Sequence, residues 1–176
     1  MITRRAVIRN LVVTVGGGSL LSACGGRVSL ETLAPGAPPR FYGDREMAVL
    51  SRVSDLLLPR TETPGALDVG VPGILDGLMA EWASEETRVE HRATLAALDT
   101  ELGARLLGDF LDADSASAEA ALSAVDAEAF AGDGVEGYRG LKGLVAQAYF
   151  STEGGAVEEL GWVGVPGRWD PCAQRT

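Results

Sequence analysis

His91 is the only histidine in the 176 residues, and Cys24 and Cys172 are the only cysteines. That stock sets limits on what the chain can do. One His and two Cys far apart in sequence give no Cys/His constellation for a metal. A Ser–His pair would have to use His91, and no Gly-x-Ser-x-Gly elbow is present. There is no Gly-x-x-x-x-Gly-Lys-Ser/Thr loop, and no Gly-x-Gly-x-x-Gly follows a strand pattern. His91 stands among Arg88, Glu90 and Arg92 and is expected on the solvent face of a helix. Carboxylates are plentiful. Asp55 and Glu62 flank one turn, and Asp68 and Asp76 flank the next. A carboxylate pair could do acid–base work, but capping, loop hydrogen bonding and solvation account for these four more simply. No catalytic, metal-binding or cofactor-binding residue is expected, so cofactor chemistry would come from a partner.

The first 24 residues hold three signals. Thr3-Arg4-Arg5-Ala6-Val7-Ile8-Arg9 is a twin-arginine export pattern with Arg4 and Arg5 at its centre. Asn10 to Ala23 is a short, weakly apolar stretch, below the roughly 20 residues of a spanning helix. Leu21-Ser22-Ala23-Cys24 reads as a lipobox, with Cys24 the lipidated residue. The alternatives for Cys24 are a disulfide, or ordinary signal cleavage after Ala23. The expected organisation is a signal at 1–23, a Gly- and Pro-rich tether at 24–40 and a helical domain at 41–176. The expected location is the periplasmic or envelope side, held to a membrane by lipid.

Residues 1–23 carry three of the 15 Lys and Arg and none of the 25 Asp and Glu. Without them, 153 residues remain with 12 cations against 25 anions, a net charge of −13. That is enough chain for one domain with a core. It excludes nucleic acid as a partner, which needs a basic face. With Cys24 lipidated, Cys172 has no partner within the chain. An intersubunit disulfide, a free thiol and a Cys24–Cys172 bond all remain open.

The elements that would carry these residues are helices. Met47, Leu50, Val53 and Leu57 recur at helical spacing over Asp44–Leu58, with Asp44 as cap and Pro59 as stop. Pro72 suits the first turn of a second helix running to about Ala83, buried through Ile74, Leu75, Leu78, Met79 and Trp82. Ser84 could cap a third, with Leu95, Leu98, Leu102 and Leu106 inward and an end near Gly108. An Ala-rich helix is predicted over Ala118–Phe130 and a last one over Tyr138–Phe150, stopped by Gly154-Gly155. Glu158 to Thr176 reads as an irregular tail. No stretch alternates with period two, so the fold is all-α: one small domain of about five helices. Five of the ten aromatics lie between 138 and 169. Tyr149, Phe150, Trp162 and Trp169, with Cys172, form a candidate partner interface, since Trp and Tyr are favoured interface anchors. The alternative is that the tail plugs its own core.

Leu56-Leu57-Leu58-Pro59-Arg60-Thr61-Glu62-Thr63-Pro64-Gly65-Ala66 resembles the Leu-Ile-Pro-x-Thr-Asp-Thr-Pro-Gly-Ala signature of the gluconate 2-dehydrogenase subunit 3 family. Gly70-Val71 and Ile74-Leu75-Asp76 fall where that family has Gly-Val and apolar-apolar-Asp, and Tyr149 to Gly167 is similar to its closing segment. Glu62 replaces the usual Asp and Leu58 the usual Ile. The resemblance implies a non-catalytic small subunit that supplies the export signal and helps its partner mature. That partner would be a large, FAD-dependent dehydrogenase of glucose-methanol-choline type, with a cytochrome c often accepting its electrons. The loop Thr61, Glu62, Thr63, Pro64 and Gly65 is expected to be structural. Two other classes stay open: a stand-alone helical envelope lipoprotein acting as a binding or adaptor module, and an enzyme working through carboxylates alone.

Overall fold

The computed structural model describes residues 38–162. Arg4, Arg5, Cys24, Trp169 and Cys172 lie outside the described residues. Within them the chain is all-α, as expected: five α-helices and a terminal π-helical turn, with no strand.

Helix α1 spans Asp44–Leu57 and buries Val49, Leu50 and Val53. Its cap is Gly43 instead of Asp44: Glu46 reaches back to the Gly43 N–H at 2.7 Å, and Asp44 sits in the acid-favouring first turn. Pro59 follows one residue past the C-cap, Leu58. Helix α2, Val71–Glu81, opens with Pro72 and buries Leu75, Asp76 and Met79. Helix α3, Glu85–Leu106, is capped by Ser84, whose hydroxyl accepts from the Thr87 N–H at 3.2 Å. Helix α4, Ser115–Ala131, begins three residues before the expected Ala118. Asp114 accepts from the Ser117 N–H and fixes its start, and Gly132 at φ 103° ends it. Helix α5 is Tyr138–Phe150. The chain does not stop at Gly154-Gly155, where a π-helical turn, Gly154–Glu159, begins. Glu158 and Glu159 therefore belong to that turn, not to a tail.

Helix α1 packs on α2, α3 and α4; α5 packs on α2, α3, α4 and the π-turn; α3 also packs on α4. Leu50, Leu75, Leu95, Leu98, Leu102 and Val145 meet at the centre, each removed from water. Burial of such side chains contributes about 1.5–3 kcal/mol each. Phe110, in the α3–α4 connection, is also fully buried. Arg52 fixes it there, its guanidinium 5.1 Å from the ring and donating to the Leu111 and Ala113 carbonyls.

Two side chains, Trp82 and His91, stand elsewhere than expected, and the apolar Phe130 faces out. Trp82 was expected inside but is 60% exposed. It is the C-cap of α2, where φ −117° carries the chain off the helical path toward Ser84. Phe130 is exposed, one step of about 100° round α4 from the buried Ala129. His91 was expected in solvent but is 6% exposed. It continues the inner stripe of α3, which runs His91, Leu95, Leu98, Leu102.

A candidate partner-docking site

Pro59 to Gly70 has no regular secondary structure, yet it is closely seated. The Ala66 N–H donates to the Leu58 carbonyl at 2.8 Å, and the Val71 N–H to the Ala66 carbonyl at 2.9 Å. Together they pin the loop between the end of α1 and the start of α2. Asp68 closes it from within: one carboxylate oxygen accepts from the Gly65 N–H at 2.8 Å and the other pairs with Arg60. The Arg60 contact, helped by that N–H, holds the Asp68 carboxyl below its usual range. Gly65 is not at positive φ, as a Pro-Gly turn would suggest. It is required by crowding, since a Cβ there would lie 2.6 Å from the Arg60 nitrogen and 2.9 Å from the Pro59 carbonyl carbon.

The end of α5 supports the loop from below. Tyr149 is buried, and its hydroxyl donates to the Pro64 carbonyl at 2.7 Å across 85 residues of sequence. The Thr152 hydroxyl turns the chain by donating to the Tyr149 carbonyl at 2.7 Å. Gly154 then passes so close that a Cβ would meet Val69 Cγ1 at 2.7 Å. The Thr63 hydroxyl donates to the Glu159 carboxylate on the π-turn. Loop and π-turn are thus one surface. Of the nine exposed large hydrophobic side chains among the described residues, five lie on it or at the end of α5: Leu67, Phe150, Val157, Leu160 and Trp162. Trp162, at 61% exposure, is the most open of the five. Isolated apolar side chains on a surface are ordinary, and these five share it with the exposed Arg60, Glu62, Asp68, Glu153, Glu158 and Glu159.

Of the residues expected at an interface, Phe150 and Trp162 are on this surface. Tyr149 is not available to a partner: the ring is core and its hydroxyl is spent on Pro64. Glu62 is exposed, while Gly65 and Ala66 are buried. The reading missed Leu67, Val157 and Leu160. Leu67 follows the loop signature, and Val157 and Leu160 lie within the closing segment Tyr149 to Gly167, so the motifs were the signal that could have found them.

Elsewhere among the described residues two readings can be checked against the fold. No cluster of His, Cys, Asp and Glu there could hold a metal ion. Gly132-Asp133-Gly134-Val135-Glu136-Gly137 has the spacing of a dinucleotide loop, but it joins two helices, without the strand that cradle needs. A cleft of about 530 Å³ beside it is lined by Glu90, Ala93, Thr94, Ala97, Glu136 and Gly137.

A family model described as gluconate 2-dehydrogenase subunit 3 matches residues 44–167. The chain belongs to the gluconate 2-dehydrogenase subunit 3 family. No curated protein and no solved structure matches it. The family match takes in all five helices, the loop at Pro59–Gly70 and the π-turn. A gluconate 2-dehydrogenase subunit 3 is an accessory subunit of a dehydrogenase complex.

Proposed function

We propose that this chain is the non-catalytic small subunit of an exported, FAD-dependent sugar or sugar-acid dehydrogenase of the glucose-methanol-choline type. Its twin-arginine segment, Arg4 and Arg5, carries the folded complex out of the cytoplasm. Lipid on Cys24 then holds the complex to a membrane on the periplasmic or envelope side. The flavin belongs to the large subunit, and a cytochrome c subunit takes its electrons. Docking uses the loop and π-turn surface, with Leu67, Phe150, Val157, Leu160 and Trp162 in contact, and Trp169 and Cys172 extending it. The observation that carries this reading is the family match over residues 44–167, which takes in the closely seated signature loop and the π-turn beside it.

Co-purification tests it. A tagged form of this chain should bring down a larger, yellow polypeptide with a flavin spectrum. Arg4→Lys with Arg5→Lys should strand both inside the cell. A colourless monomer, or a large subunit still exported by the double variant, would refute the subunit or the carrier role respectively. Non-reducing electrophoresis of the complex, with Cys172→Ser as control, shows whether Cys172 links the two chains.

A further inference from the structure

The chain joins α1 through a short non-helical strap, Arg40–Tyr42. Its three successive N–H groups all donate to the Asp76 carboxylate on α2, at 2.8, 2.9 and 3.1 Å. Asp76 is fully buried. Arg92 on α3 donates to the Phe41 carbonyl and stacks over the Phe41 ring at 4.3 Å. Tyr42 is buried, and its hydroxyl lies 2.7 Å from Nε2 of the buried His91. The strap is therefore held by ionisable groups on two helices.

The hydrogen in the Tyr42–His91 contact can be placed. Burial, aided by Asp76 and Glu46, pushes the Tyr42 phenol well above its usual value, so it keeps its proton. That hydroxyl has no other partner among the described residues, so it donates to Nε2. Neutral His91 then carries its hydrogen on Nδ1. We propose that His91 makes this strap an acid-releasable latch: a proton on Nε2 puts a charge into a buried site and reverses the Tyr42 contact, leaving the phenol hydrogen without an acceptor, and so favours release of Arg40–Tyr42 from α2 and α3.

The charged groups around the pair are Arg40 in the strap, Glu46 from α1, Asp76 from α2 and Arg92 from α3. Glu46 favours an imidazolium, but Arg92 at 2.8 Å and the Gly43 N–H at 2.7 Å already occupy it. Asp76 has its oxygens turned to the three strap N–H groups. Burial dominates and holds His91 below its ordinary value. The closed strap then binds a proton less readily than the open one. Closing is at full strength above about pH 6.5, the value of the free side chain, and weakens by up to about tenfold per unit as pH falls below it.

Hydrogen exchange on the full chain reads this directly, comparing Arg40–Tyr42 amides with those of Leu141–Ala148 between pH 7.5 and 5.0, corrected for intrinsic rates. The strap should open about tenfold more often at the acid end, with α5 unchanged. In His91→Gln, whose side chain accepts from Tyr42 without titrating, the strap should stay closed throughout. Constant protection in the wild type would overturn the latch. So would the same acid opening in His91→Gln, which would place the sensor elsewhere, or α5 opening in parallel with the strap. If His91→Gln does not fold, a proton NMR titration of the His91 ring decides. A midpoint below 6.5 supports the latch, and one at or above 6.5 overturns it.

Discussion

The signature loop and the strap are both irregular, and both are pinned by side chains distant in sequence. What pins them differs. The loop is seated by close approach: Gly65 against Arg60 and Pro59, Gly154 against Val69, and a neutral hydroxyl, Tyr149, on the Pro64 carbonyl. Its one internal ion pair, Arg60–Asp68, is exposed and contributes little. The strap is seated by Asp76, Arg92 and His91, all ionisable. Steric fit does not depend on a proton, whereas the Tyr42–His91 contact does. The loop should thus present one fixed surface over a wide range of pH, while the strap answers to acid.

Substitution can break this contrast at either end. The largest effect is expected for Gly65→Val, whose Cβ would enter the Arg60 backbone. It should lower stability by about 3 kcal/mol in thermal unfolding, against about 1 kcal/mol for Gly132→Ala, where the only obstacle is the positive φ. Equal melting points for the two would show that the loop can shift. Asp76→Asn keeps the shape but turns one oxygen into a donor facing strap N–H groups. A loss of about 2 kcal/mol is expected, together with faster exchange at Arg40–Tyr42 and no change at the loop. Trp162→Ala should leave the melting temperature unaltered and weaken the flavoprotein complex by about 2 kcal/mol, roughly thirtyfold in Kd. Unchanged affinity by surface-based binding would move docking off this end. The smallest effect is Tyr149→Phe, about 1 kcal/mol, and its unfolding free energy should be lowered equally at pH 5.5 and 7.5.

The helices were legible because their spacing, caps and stops agree locally. Leu95, Leu98 and Leu102 announce α3, Ser84 starts it, and Pro59 ends α1. What local rules could not give is the crowding between distant segments. Gly154-Gly155 looks like a helix stop, but the pair exists because Val69 and the Tyr149 carbonyl leave no space for side chains. Tyr149 looks like an interface aromatic, and only the fold brings Pro64 over it. His91 was obscured by its charged neighbours, although its place four residues before Leu95 put it on the inner stripe. The loop could be read as structural from its residue types. The exposed Leu67, Val157 and Leu160 were harder to read, because the fold brings together segments some 90 residues apart and only proximity to the signature motifs pointed to them.

The arginines have a consequence of their own. Arg40, Arg45, Arg92 and Arg105 each tie carboxylates on other segments, Arg52 holds two carbonyls of the α3–α4 connection, and Arg88 holds the last carbonyls of α2. These cations are engaged within the chain, and the 25 Asp and Glu outnumber the 15 Lys and Arg, so the unpaired surface charge is mostly carboxylate. Two copies of this domain approaching one another meet a counterion cloud of like sign, reaching about 8 Å at physiological salt. An apolar rim on such a body is shielded from self-association at a distance. It is open only to a visitor whose own charge lets it come close enough for the rim to be felt.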